Sequence, residues 1–165
     1  MDYDVFNGDA DGICALIQLR LHDARPDAIL ITGVKRDIQL LERVPSDSVG
    51  RVTALDISFD KNRDDVCRLT EAGAELFFCD HHYAGNVPMT ANLDTLISPA
   101  SDVCTSALVN GRLRGAFAEW AAVGCFGDNL DTTADIIIGN LSTAVDRDAL
   151  KRLGVCVNYN AYGSQ

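Results

Sequence analysis

The sequence predicts an α/β fold: a mostly parallel sheet of about five strands flanked by helices, with a helical C-terminal part. Three observations predict it. Short apolar runs alternate with longer stretches of helical periodicity through the first hundred residues. Breakers such as Pro26, Pro45 and Gly73 fall between those runs rather than inside them. From Asp102 onward the strand-like runs stop and the spacing becomes helical throughout. Strands that alternate with helices need crossover connections, which leave the strands parallel and cover both faces of the sheet.

The elements follow in order. Residues 3–6 form a short strand, and 11–22 (DGICALIQLRLH) carry apolar residues at helical spacing. Residues 28–34 (AILITGV) are a continuous apolar run of the buried-strand type. A short helix is expected over 37–44, ended by Pro45. The run 51–57 (RVTALDI) is a third strand, and 60–72 a helix closed by Gly73 at its C-terminal side. Residues 75–79 (ELFFC) are a fourth strand and 95–98 a fifth. Helices are expected at about 102–113, 115–126, 131–144 and 146–153. A catalytic domain over 1–157 and a polar tail over 158–165, the start of a linker to a further domain, complete the expected organisation.

The chain has 165 residues, enough for a substantial core, and an ordinary globular composition of 47% apolar and 23% charged residues. Its net charge is −10, and 20 of its 24 acids are Asp. Such a balance argues against a sequence-independent grip on nucleic-acid backbones, which uses Lys and Arg, unless metal ions supply positive charge. The skew to Asp fits caps and turns, and also hard-metal ligation. No stretch is long and apolar enough to span a bilayer, and the first residues lack the pattern of a signal peptide. Six scattered cysteines without a Cys-x-x-Cys pair are expected to be reduced and mostly buried, which suits a cytoplasmic protein.

The chemistry gathers where strands end. Asn7-Gly8-Asp9-Ala10-Asp11-Gly12 follows the first strand, Asp56 ends the third, and Asp80-His81-His82 follows the fourth. In parallel α/β sheets ligands bind at the carboxyl ends of the strands, so these residues share one rim, which Asp128 is placed to join. Singly, each Asp has an ordinary role: Asp9, Asp11, Asp56 and Asp128 all stand where helix caps and turns are expected. Together, four carboxylates and one or two imidazoles without a Lys repel one another unless cations lie between them. Mixed oxygen and imidazole donors suit Mn²⁺, with Mg²⁺, Fe²⁺ and Zn²⁺ as rivals. Two such ions roughly 3.5–4 Å apart would activate water and clamp a phosphoryl group.

These four segments resemble, in order, the motifs of the DHH phosphoesterase superfamily, which includes RecJ-like exonucleases, nano-RNA phosphodiesterases, exopolyphosphatases and manganese pyrophosphatases. The resemblance implies that Asp9 binds one metal ion and Asp11 the other, with Asp56 bridging both. It implies that His81 and Asp128 complete the second site, that His82 faces the substrate phosphate, and that Asp80 orients the imidazoles. Two departures stand out. Val5 occupies a position where many members have a His, and Asn7 one where RecJ-like members have an Asp. Asn7 is therefore expected to help hold the first site and to touch substrate. The implied substrate is a phosphate-containing small molecule or a short single-stranded nucleic acid, selected by residues of a C-terminal domain that nothing after residue 130 resembles.

Two competing readings remain at this level. One is a non-catalytic metal- or nucleotide-binding module with an incomplete site. The other is a haloacid-dehalogenase-like phosphatase with Asp9 as nucleophile, since Gly127-Asp128-Asn129 resembles the last motif of that class. Such enzymes steady the nucleophile with a Lys between the two acidic motifs, fairly close before the last; here the lysines are Lys35, Lys61 and Lys151, and none lies between residues 62 and 150.

Overall fold

The alternation of side chains along each strand sorts the sheet into two apolar faces. In the computed structural model, which describes residues 1–162, the strands are β1 (Tyr3–Asn7), β2 (Ile29–Gly33), β3 (Arg51–Leu55), β4 (Glu75–Asp80) and β5 (Leu93–Ile97). All four pairings are parallel, in the order β2-β1-β3-β4-β5. The expected α/β architecture is the one observed. The helices are α1 (Ala10–His22), α2 (Phe59–Glu71), α3 (Thr105–Arg112), α4 (Ala118–Gly127), α5 (Asp131–Gly139) and α6 (Arg147–Asn160).

Val5, Ala54 and Phe78 are neighbours in register and point to one face, where they pack with Phe59, Val66 and Leu69 of α2. Phe6, Leu55 and Cys79, one residue further along, point to the other face against Ala15 and Leu16 of α1 and Val109 of α3. A third apolar cluster, around Cys125, Phe126 and Ala134, joins α4 and α5 and extends to Leu150 of α6. The four most buried cysteines lie in or beside these clusters, and all six thiols are free.

Three expectations are corrected. Residues 37–44 form only a single 3₁₀ turn, Leu41–Arg43. Side chains of α2 take over the backbone groups a helix would have paired: Asn62 accepts from the Leu41 N–H and donates to the Ile38 carbonyl, and Arg68 donates to the carbonyls of Leu41 and Val44. β2 is not a buried strand, for Ile29 and Leu30 are 44% and 52% exposed. Its connection to β3 contains no helix long enough to cover it, so it is left at the sheet edge with half its apolar surface open. Lastly, α6 runs on to Asn160, past the expected end at 153, and the first residues of the expected polar tail pack on the body of the protein. The remainder of that expected tail, 163–165, lies outside the described residues.

Candidate metal centre

β1 leads into α1 through a two-residue turn, and two close approaches shape it. A Cβ on Gly8 would overlap the Gly33 carbonyl, and one on Gly12 the Asn7 carbonyl. Asp9 is the N-cap of α1, with Oδ1 accepting from the N–H groups of Asp11 and Gly12, each at 3.1 Å. Its capping role and its place in the site coincide, because the second oxygen turns outward to the rim. Asp11 is fully buried, and its carboxylate accepts from the N–H groups of Thr105 (2.7 Å) and Ser106 (2.6 Å). Those amides are the first of α3, whose positive end favours a carboxylate. Asn7 is buried too: its Oδ1 accepts from the Asp9 N–H and its Nδ2 donates to the Lys35 carbonyl, both at 3.1 Å.

The strands on the other side of the switch point in strand order, β3 and β4, supply the rest. Asp56 follows β3 with φ of 56°, in the left-handed region that Asp tolerates better than most residues. Ser58, not Asp56, caps α2, so the Asp56 carboxyl is left for the rim, where it accepts from Thr105 Oγ1 at 3.2 Å. Asp80 ends β4 fully buried; one oxygen meets His82 Nδ1 at 2.6 Å and the other accepts from the Phe59 N–H. His81 Nε2 stands 3.3 Å from Asp56, 3.6 Å from Asp128 and 3.9 Å from Asp11. Asp128 is the C-cap of α4, and Asn129 beside it also has a left-handed φ, of 60°. The rim thus joins side chains from three strand ends and one helix end.

A further side chain enters that the strand-end pattern did not include. The rim was expected to lack a Lys, yet Lys35 Nζ lies 2.8 Å from Asp9 Oδ2 and 3.3 Å from Asp128 Oδ1. Lys35 follows β2 as the other groups follow β1, β3 and β4, so the strand-end rule would have found it had the second strand been included. Thr105 and Ser106, which hold Asp11, carry no signal in the sequence. Neither does Asn158 of α6, which accepts from the Ala10 N–H at 3.2 Å and donates to the Gly127 carbonyl at 2.7 Å, bracing both acidic loops. Val5 is fully buried in the apolar core on the α2 face and takes no part in the rim.

Electrostatics distinguish the acids. Burial, and then the charges of Asp11 and Asp9, push Asp56 well above the ordinary carboxyl range. Asp128 is raised by burial and by the same two neighbours. Burial would raise Asp9 as well, but hydrogen bonds from Lys35 and Asp56 outweigh it and hold Asp9 below its ordinary value. Lys35 is raised, since its contacts with Asp9 and Asp128 outweigh its own burial. The hydrogen bond to Asp80 raises His82 in spite of partial burial. A buried carboxyl whose charged form is disfavoured by burial and like charges is a place where a bound cation is stabilising. The donor chemistry fits as well: Asp56, His81 and His82 form one group of ligand atoms, and Asp11, His81 and Asp128 a second, each within 4.8 Å. A cavity of about 690 Å³ lies at the opposite end of the sheet beside Arg20, Arg25 and Arg51. Its arginines have their own acids, Arg20 and Arg25 meeting Asp4 and Arg51 meeting Asp2 and Asp23, whereas the rim acids outnumber the cations they meet.

No family model matches the sequence, and neither does any curated protein. Solved structures do. The exonuclease RecJ bound to manganese superposes with a TM-score of 0.54 at 21% identity, over 97% of this chain and 48% of that one. RecJ from Thermus thermophilus, in complex with Mn²⁺, gives a TM-score of 0.54 at 19% identity, over 98% of this chain and 28% of that one. The fold is shared with RecJ. On those coverages the chain spans less than half the length of either RecJ chain. Among the described residues no helix is long and apolar enough to cross a membrane.

Proposed function

We propose that this protein is a metal-dependent phosphoesterase that hydrolyses a phosphodiester or phosphoanhydride bond in a small or short single-stranded substrate. One observation carries the reading: a single imidazole nitrogen, His81 Nε2, lies within 3.9 Å of carboxylates from three separate elements, with no Arg among them. The ligands would be Asp11, Asp56, His81 and Asp128, with Asp9 alongside, and Mn²⁺ the favoured ion before Mg²⁺. A divalent cation held there supplies an activated water nucleophile and neutralises charge on the phosphoryl group.

The chain's own residues do the rest. Asp80 takes the Nδ1 side of His82, which fixes the ring and leaves Nε2 free on a side chain that is 46% exposed. A ring held this way can donate a proton or hydrogen bond to a phosphate oxygen or to the leaving group. Asn7, with both side-chain groups engaged inside the turn, positions Asp9 and the Lys35 backbone rather than reaching substrate. Net charge −10 disfavours long duplexes, and the free thiols suit a cytoplasmic setting.

The test is a screen of the metal-free protein with added Mn²⁺ against an aryl phosphodiester, short oligonucleotides and polyphosphate. Turnover abolished by chelation and by Asp56→Ala or His82→Ala is the expected result. Mn²⁺ binding without turnover on any of these classes favours the non-catalytic module instead.

One contact favours another reading. The 2.8 Å pair of Lys35 with Asp9 is what a covalent aspartyl-phosphate mechanism requires of a nucleophile and its lysine. Against it, Asp9 is only 3% exposed, with one oxygen committed to the α1 amides, and the mechanism leaves Asp56, Asp80 and His82 without work. Trapping of an acyl phosphate on Asp9 by hydroxylamine would establish it; inversion of configuration at phosphorus with no trapped adduct favours a single direct attack by water.

A further inference from the structure

Lys35 is the one ammonium among the described residues that reaches the rim acids, and its backbone is pinned on both sides. The Lys35 N–H donates to the Ala161 carbonyl at 2.9 Å, and its own carbonyl accepts from Asn7 at 3.1 Å. The side chain is therefore aimed by a fixed turn, and it is only 34% exposed. Asp128 divides its oxygens: Oδ1 faces Lys35 Nζ at 3.3 Å while Oδ2 faces His81 Nε2 at 3.6 Å. That is how a carboxylate bridges two cationic positions. Asp9 belongs to neither of the two groups of ligand atoms. Its Oδ1 is taken by the amides of Asp11 and Gly12 and its Oδ2 by the ammonium.

We propose that Lys35 is a built-in cation that takes the place of a second metal ion between Asp9 and Asp128, so that the site holds one divalent ion, on Asp11, Asp56, His81 and Asp128. This rests on the metal-dependent reading above and sets the number of ions at one rather than the two expected from the sequence. An ammonium is a compact charge with three donors, and it repels a divalent ion brought close to it. It offers no Lewis acidity, so water activation falls to the single ion. With two donors spent on Asp9 and Asp128, one remains for a phosphoryl oxygen, which makes Lys35 a substrate-facing charge that chelators cannot remove.

The experiment is a count of bound Mn²⁺ in the full chain by calorimetry, joined to its paramagnetic resonance spectrum. One ion per chain with the spectrum of an isolated Mn²⁺ is expected. Lys35→Met keeps the apolar stem and removes the charge. It is expected to admit a second ion at least tenfold more tightly, with an exchange-coupled spectrum, and Lys35→Arg to restore the single ion. Two coupled ions in the unaltered protein would overturn the proposal while leaving the phosphoesterase reading intact, and that outcome needs no variant to fold. A single ion in both the unaltered protein and Lys35→Met also overturns it, because the lysine then excludes nothing. No Mn²⁺ in either overturns the metal-dependent reading itself, and this inference with it.

Discussion

The two ends of one sheet bury their acids in opposite ways. Near the amino ends of the strands, Asp4 is fully buried and meets Arg20 at 2.6 Å and the guanidinium of Arg25, which also donates to Thr53 Oγ1. At the carboxyl ends, Asp9, Asp11, Asp56 and Asp128 share one ammonium and one imidazole. A carboxylate kept for the fold comes with its own guanidinium partners. The rim carboxylates have their charge incompletely met, as the proposed metal site requires, because a complete match would leave nothing for a metal ion or substrate to bind.

Four substitutions would break or sharpen that contrast, taken from the largest effect down. Asp4→Ala strands two guanidinium groups, one of them largely buried, and should cost about 3–5 kcal/mol in urea unfolding, with Mn²⁺ affinity unchanged in the folded protein. Asp56→Asn, which removes the carboxylate and tolerates the same left-handed backbone, should do the reverse. Hydrolysis should fall by about 10²–10³-fold, the scale on which a preorganised electrostatic group matters. The metal-free protein should melt no lower than before, since a carboxyl held well above its ordinary value by burial and like charge is removed. A loss of stability as large as that of Asp4→Ala would erase the contrast.

Asp80→Asn should weaken metal binding or turnover by about 10–100-fold through the loosened His82 ring. It should also move the His82 titration, followed by NMR, to lower pH, because the Asp80 hydrogen bond is what raises it. Since the folded value is raised, the stability this pair gives is complete below the unfolded His value of about 6.5 and is lost as pH rises through the folded one. In Asp80→Asn that slope should disappear from melting curves taken across the window. Smallest, Arg51→Ala removes an exposed partner of Asp2 at 3.2 Å and should change stability by less than about 1 kcal/mol.

The legible part of the site was the part governed by local rules. Asp9, Asp56 and Asp80 stand at strand ends, and β1, β3 and β4 show themselves by apolar runs whose period matches their burial. His81 follows Asp80 by the same rule; Asp128 could be placed only by assuming that the rim closed, and the structure brings both to it. What escaped was non-local. Thr105 and Ser106 reach Asp11 across more than ninety residues through the start of a helix whose cap, Cys104, gives no capping signal. The segment 37–44 has helical periodicity, yet Asn62 and Arg68 claim its backbone. β2 reads as buried because its residues are apolar; exposure depends on what the chain does next, and here it makes one 3₁₀ turn. Lys35 escaped for a lesser reason, as a basic residue in an acidic pattern.

The bracing of the rim by α6 has a consequence for how the protein is made. Asn158 touches the Ala10 amide and the Gly127 carbonyl, and Ala161 holds the Lys35 amide. The first of these contacts spans 148 residues of sequence. On a ribosome adding roughly 5–20 residues per second, the first acidic loop waits on the order of 10 s for its brace. During that interval the emerging chain carries most of the rim's acids and imidazoles but not the scaffold that fixes their spacing. Under the proposed function, selective capture of an ion is therefore a late event in biosynthesis, timed by the emergence of α6 rather than by the appearance of those side chains.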